Sequence, residues 1–300
     1  MTLSISRVIP HYCGMPKHLR AKKVVMVMRA FFDESGLNPK KDKALVMAGF
    51  LGTVEQWESV SDTWEQCLNQ RPKIEYFKSD EADHLDGEFW QFNHMVASRK
   101  KNALAKIIGE SELQGFFVSV GHGLLAQRNP SPRKRTAGSR TYDWGFFTAT
   151  LGVLQYVRDH HPQETVDFIF DERRELGQCI SMFNELRELA RGEMPWATVF
   201  GLAGTCIPGD DKKIPALQMG DLLAGEVSSM GNLGNPPTEA WRQLVARRGI
   251  VHISCNIPWA IPILIALQGK MKPGSKYGGP IPEEVLQRSR AERGFARLSR

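Results

Sequence analysis

The tetrapeptide Asp33-Glu34-Ser35-Gly36 directly follows the apolar run 24–32 (VVMVMRAFF), so a strand delivers two acids into a glycine turn. Burying an ionised carboxylate costs several kcal/mol unless a cation compensates it, and a bound metal does so economically. Asp171 closes a second apolar run, 166–170 (VDFIF), in the same way. If the two strands are neighbours, their acids emerge together at the end of the sheet where α/β proteins place ligands. A third acid, Asp221, stands among Leu217, Met219, Leu222 and Leu223. Helical spacing puts it on one stripe with Gln218 and Gly225, so that Gln218 and Asp221 face one target and Gly225 permits close approach to the sheet. Each acid also has a plainer reading. Asp33 would cap its own Ser-Gly bend, Asp171 would cap the following helix, and Asp221 would lie on a solvated face.

The elements that must position these acids follow from hydrophobic period and punctuation. Residues 44–53 (ALVMAGFLGT) form a second strand, joined to the first as an antiparallel hairpin through 37–43. Trp57, Val60, Trp64, Cys67 and Leu68 then fall at helical spacing behind Thr53, a cap, predicting a helix to about residue 69. A short strand over 74–78, a turn or helix start over 79–84, a helix over 88–109 and a strand over 113–122 follow. Trp57, Trp64 and Trp90 read as core. Residues 127–140 (QRNPSPRKRTAGSR) break all periodicity and form a basic loop. Beyond it come a helix over 142–160, the strand ending at Asp171, a helix over 176–191, a weaker strand over 197–207 and a helix over 215–230 opened by Pro215. Short helices over 237–248 and 258–267 complete the domain, 24–269. Residues 1–23 read as a loosely ordered leader and 270–300 as a tail. Strands followed by alternating helix and strand predict a single α/β domain with a mixed sheet.

Bulk properties narrow the classes. The chain of 300 residues is 42% hydrophobic and 24% charged, and it carries 39 basic against 33 acidic residues, a mild lean toward polyanionic partners. No run approaches the roughly 20 apolar residues that span a bilayer, which predicts a cytoplasmic protein with no membrane partner. Five scattered cysteines with no C-x-x-C pair fit reduced thiols. Neither a phosphate-cradling glycine loop nor a serine with a suitably spaced histidine is present.

On these residues the chain resembles the domain of unknown function 3800 family, placed among the ribonuclease H-like folds. The matching pieces are F-F-D-E-S-G at 31–36, L-V-M-A-G-F at 45–50, E-Y-F-K at 75–78, I-F-D-E at 169–172 and L-Q-M-G-D-L-L-A-G at 217–225. The resemblance implies a ribonuclease H-like mixed five-stranded sheet flanked by helices, with acids on the first strand, at the end of the fourth and on the final helix: Asp33, Asp171 and Asp221. It implies Mg²⁺ or Mn²⁺ held by those acids and cleavage of phosphodiester bonds. The helical glutamate of true ribonucleases H has no single counterpart, with Glu34, Glu75 and Glu81 as contenders.

The expectation is therefore a metal-dependent nuclease or phosphodiesterase. Asp33, Asp171 and Asp221 bind metal, Glu34 joins the catalytic set, and Ser35, Lys78, Gln218, Arg133, Lys134 and Arg135 face the substrate, with nucleic acid the expected partner. The alternative is a non-catalytic nucleic-acid- or protein-binding regulator on the same fold, in phage defence or mobile-element biology. Oligomeric state, homo-oligomer or monomer, is left open by the sequence.

Overall fold

The structure, a computed structural model, describes residues 27–123, 137–191, 195–247 and 249–253. The expected leader 1–23, the helix over 258–267 and the tail 270–300 lie outside the described residues, as do Arg128, Arg133, Lys134 and Arg135 of the basic loop.

Strands β1 (Val27–Ser35) and β2 (Ala44–Gly52) form the expected antiparallel hairpin, and β3 (Gln114–Gly121) continues it antiparallel. On the other side of β1 lie β4 (Thr165–Asp171) and β5 (Ala203–Gly209), both parallel to it. A short β6 (Ile250–His252) pairs parallel with β3, giving the order β5-β4-β1-β2-β3-β6. The sheet thus has six strands rather than five, because three residues at an edge are too few to announce a period of two. Residues 74–78 form no strand: the Phe77 N–H is taken by a side chain, that of Gln218, and no ladder forms there.

Helices cover both faces. Helix α1 (Val54–Asn69) opens with a capping box, Thr53 accepting from the Gln56 N–H and Gln56 accepting from the Thr53 N–H, and buries Trp57, Val60, Trp64, Cys67 and Leu68 as their spacing predicts. Its other end is closed by the Lys100 ammonium, which donates to the carbonyls of Cys67, Leu68 and Gln70. After α2 (Ser79–His84) and a 3₁₀ turn (Gly87–Phe89), α3 (His94–Glu110) starts later than its apolar pattern suggests, because Asn93 caps it. Trp90, in the intervening segment, is 69% exposed rather than core. Helix α5 (Leu176–Arg191) has the expected bounds, whereas α4 (Ala137–His160) begins five residues before the expected 142, so that 137–140 of the expected basic loop are helical. The expected strand over 197–207 divides into a 3₁₀ helix (Pro195–Leu202) and β5. Helix α6 (Pro215–Leu233) and a short α7 (Glu239–Leu244) complete the set. Among the described residues no helix is long and apolar enough to cross a membrane.

The period of two in the strands sorts side chains between two cores. Met28, Ala30 and Phe32 of β1, with Phe168 and Phe170 of β4, meet α4 and α5, whose Phe146, Phe147 and Phe183 are fully buried. Phe31 and Ile169 point the other way, into a core shared with α1, α3 and α6. This parity fixes what the next residues of each strand can reach.

Candidate metal centre

Phe32 pairs with Phe170 across the parallel β1–β4 ladder, so Asp33 and Asp171 follow at the same level of adjacent strands. They share parity with Phe31 and Ile169, on the α6 face. One strand further along, Asp171 pairs with Gly209 of β5, and Asp211 stands two residues beyond. The result is a convergence of Asp33, Asp171 and Asp211, each offering one carboxylate oxygen within 4.8 Å of the others. Such a set could hold a metal ion. Asp211 was missed in the sequence because the strand before it reads as weak and as ending too early. The signal resembles that for Asp33 and Asp171: an acid near the C-terminal end of a strand, here two residues past β5.

Asp221 stands just outside this trio. Helix α6 crosses β1 and β2, and Gly220 is its point of close approach: a Cβ there would lie 3.2 Å from the Asp33 nitrogen and 3.3 Å from the Ala48 oxygen. Gly220, and not Gly225, therefore lets the helix sit on the sheet. Gly225 instead faces the Ser79 side chain. Gln218 and Asp221 do share one target, but it is a backbone segment. Gln218 Oε1 accepts from the Phe77 N–H (3.2 Å) and the Trp64 indole N–H (3.0 Å), while Asp221 accepts from the Ser79 N–H. The Gln218 amide nitrogen donates to the Asp211 carbonyl at 2.9 Å. A glutamine buried to 2% exposure, with both ends of its amide engaged, is a strut joining α1, the 77–79 segment and the Asp211 loop.

Lys78 lies between the two clamped residues, and its Nζ is 2.7 Å from Asp211 Oδ2. Although burial opposes its charge, Asp211, with Asp221 and Asp33 behind it, holds the ammonium above the usual lysine range. The acids feel the reverse. Burial, then repulsion from Glu34, Asp221 and Asp171, holds the Asp33 carboxyl well above the ordinary carboxylate range. Asp221 is pushed up to about 7 by burial, against the Ser79 N–H and Lys78. Burial and Asp211 raise Asp171.

Glu34 has the parity of Phe32 and so occupies the opposite face from Asp33. There it forms an ion pair with Arg173, beside the buried Tyr142, and burial still pushes its carboxyl up to about 8. The structure thus does not bring Glu34 into the aspartate trio. Neither other contender joins it: Glu81 accepts from the Tyr76 hydroxyl and the Glu88 N–H, and Glu75 is exposed. The acid that completes the trio with Asp33 and Asp171 is Asp211. Ser35 ends β1 opposite Val46, and Gly36 turns the chain with φ +75° beside Ala44 and Asn232.

No protein-family model and no curated protein matches this chain. The arrangement defines an α/β protein with an acidic centre at the C-terminal ends of adjacent strands. Three carboxylates at this separation, largely withdrawn from water, are a set that could hold a metal ion.

Proposed function

We propose that the protein is a metal-dependent phosphodiesterase acting on nucleic acid, built on a ribonuclease H-like scaffold. The strand order supports the scaffold: a meander of β1, β2 and β3, flanked on the β1 side by two parallel strands, with β6 added at the far edge. The observation that carries the function is the meeting of Asp33, Asp171 and Asp211 from the ends of three adjacent strands.

In this reading Asp33, Asp171 and Asp211 hold Mg²⁺ or Mn²⁺, which when bound supplies Lewis-acid activation of water and charge neutralisation at the phosphate. Gln218 fixes the Asp211 backbone and the 77–79 segment, so two parts of the site share one positioning residue. Lys78, its side chain 34% exposed, keeps N–H donors for a phosphate oxygen beyond the one it gives to Asp211. Arg173 lies two residues past Asp171, with its guanidinium oriented by Glu34. The basic residues Arg133, Lys134 and Arg135 extend the same electrostatic attraction to the polyanion backbone.

Incubation of purified protein with mixed RNA and DNA substrates and Mn²⁺, beside Asp33→Asn and Asp211→Asn, tests the proposal. Cleavage is expected in the wild type and is expected to fall to the buffer control in both variants and in EDTA. Equal cleavage in all preparations would refute it. Metal-independent nucleic-acid binding without cleavage would instead identify a binder on this fold.

A further inference from the structure

The acids of this site are a trio with Asp221 just outside it, and a side-chain cation, Lys78, is already paired with the trio's Asp211. Asp33, Asp171 and Asp211 form the trio. Asp211 turns its Oδ2 to Lys78, whose electrostatic neighbours also include Asp221 and Asp33. The placement of Lys78 is dictated from both sides. The preceding residue, Phe77, is tied to Gln218 and the following one, Ser79, to Asp221, both on α6. The same Gln218 amide holds the carbonyl of Asp211, the acid that Lys78 pairs with. One buried glutamine, locked by Trp64, therefore sets both members of the ion pair. A freely swinging surface lysine would need none of this.

A second metal ion needs carboxylates of its own, and the site is short of them. Glu34 is turned to the other face and paired with Arg173, Glu81 is engaged by Tyr76 and Glu88, and Asp221 already accepts from Ser79. Asp211 already belongs to the trio and holds Lys78, whose charge Asp221 also attracts.

We propose that Lys78 fills the place of a second metal ion, so that the centre takes a single divalent cation; the inference rests on the metal-centre reading above. The ammonium carries one fixed positive charge where a two-metal phosphodiesterase would carry a second cation. It stays on the chain, needs no recruitment from solution, and, being partly exposed, keeps N–H groups beyond the one given to Asp211.

The test is metal stoichiometry, measured by Mn²⁺ titration followed by electron paramagnetic resonance and by calorimetry, without reference to turnover. The wild type is expected to saturate at one Mn²⁺ per chain. Lys78→Ala and Lys78→Met, each checked for an unaltered circular dichroism spectrum, are expected to saturate at two, with a spin-coupled Mn²⁺ pair in the spectrum. Lys78→Arg, which retains the charge, is expected to stay at one. Two ions in the wild type, or one in both neutral variants, overturns the inference. If the counts come out as expected but no nucleic acid is cleaved, the phosphodiesterase reading fails and the assignment of Lys78 stands. If the wild type binds two ions and cleaves, the reverse holds. No Mn²⁺ binding in any form removes both.

Discussion

Removing one carboxylate from the trio should make the metal-free protein more stable, although the residue removed is one the site depends on. Asp171→Asn is the informative substitution because Asp171 is only half-buried and the amide fits the same space. Two unit charges 4.8 Å apart repel by roughly 3 kcal/mol at an effective dielectric constant of about 20. Solvent access at Asp171 and the Lys78 ammonium on Asp211 reduce this to about 1–2 kcal/mol. For a domain of this size the gain corresponds to a rise in Tm of roughly 2–6 °C in EDTA at pH 8. With Mn²⁺ at about one hundred times its Kd the wild type gains about 2.7 kcal/mol, whereas the variant, short of a ligand, gains much less. The order of the two melting temperatures should therefore invert between EDTA and Mn²⁺, as read by differential scanning fluorimetry or calorimetry. An Asp171→Asn protein that melts below the wild type in EDTA, yet shows the full Mn²⁺ shift, would refute the repulsion argument and the ligand assignment together.

The pH dependence follows from the same charges. Glu34 and Asp221 carry folded-state values near 8 and 7 against ordinary values of 4.5 and 3.8, and Asp33 and Asp171 are also raised. The folded state thus binds more protons than the unfolded chain between about pH 4 and 8, and metal-free stability should fall as pH rises through that window, while saturating Mn²⁺ flattens the curve. A metal-free Tm higher at pH 8 than at pH 5.5 would contradict this. Arg173→Gln leaves the buried Glu34 without its cation and should cost about 2–4 kcal/mol in urea denaturation, most of it recovered by adding Glu34→Gln. A double variant no better than the single would show that the pair is not coupled. Lys100→Met strips three carbonyls at the end of α1 of their donor and should cost about 2–3 kcal/mol with activity at the permissive temperature intact. A loss below about 0.5 kcal/mol would mean that water replaces the ammonium.

What was legible in the sequence was whatever rests on local pattern. The β1–β2 hairpin, the capped α1 and the burial of Trp57 and Trp64 follow from alternation, helical spacing and a capping residue, and the structure has all of them. Asp33 and Asp171 were readable because long apolar strands point at them. Asp211 was not, since β5 has exposed residues at Ile207 and Pro208 and its strand character comes from pairing with β4. The partner of Glu34 was also hidden: its direction is set by strand parity, but Arg173 reaches it only through the β4–α5 turn. The Gln218 and Asp221 spacing correctly announced a common target, and only the fold reveals that this target is main chain. Trp90 looks like its two buried namesakes in a helical window, yet Asn93 starts the helix after it.

The chain delivers its acids in a particular order. Asp33 is synthesised first, Asp171 well over a hundred residues later, and Asp211, Gln218 and Asp221 after both. The trio is complete only once Asp211 is made, directly before α6, and that helix brings Leu217, Met219, Leu222 and Leu223 into the core as it brings Asp221. The least favourable electrostatic step of folding is thereby coupled to one of the most favourable burial steps, and a chain stopped before Asp211 has neither.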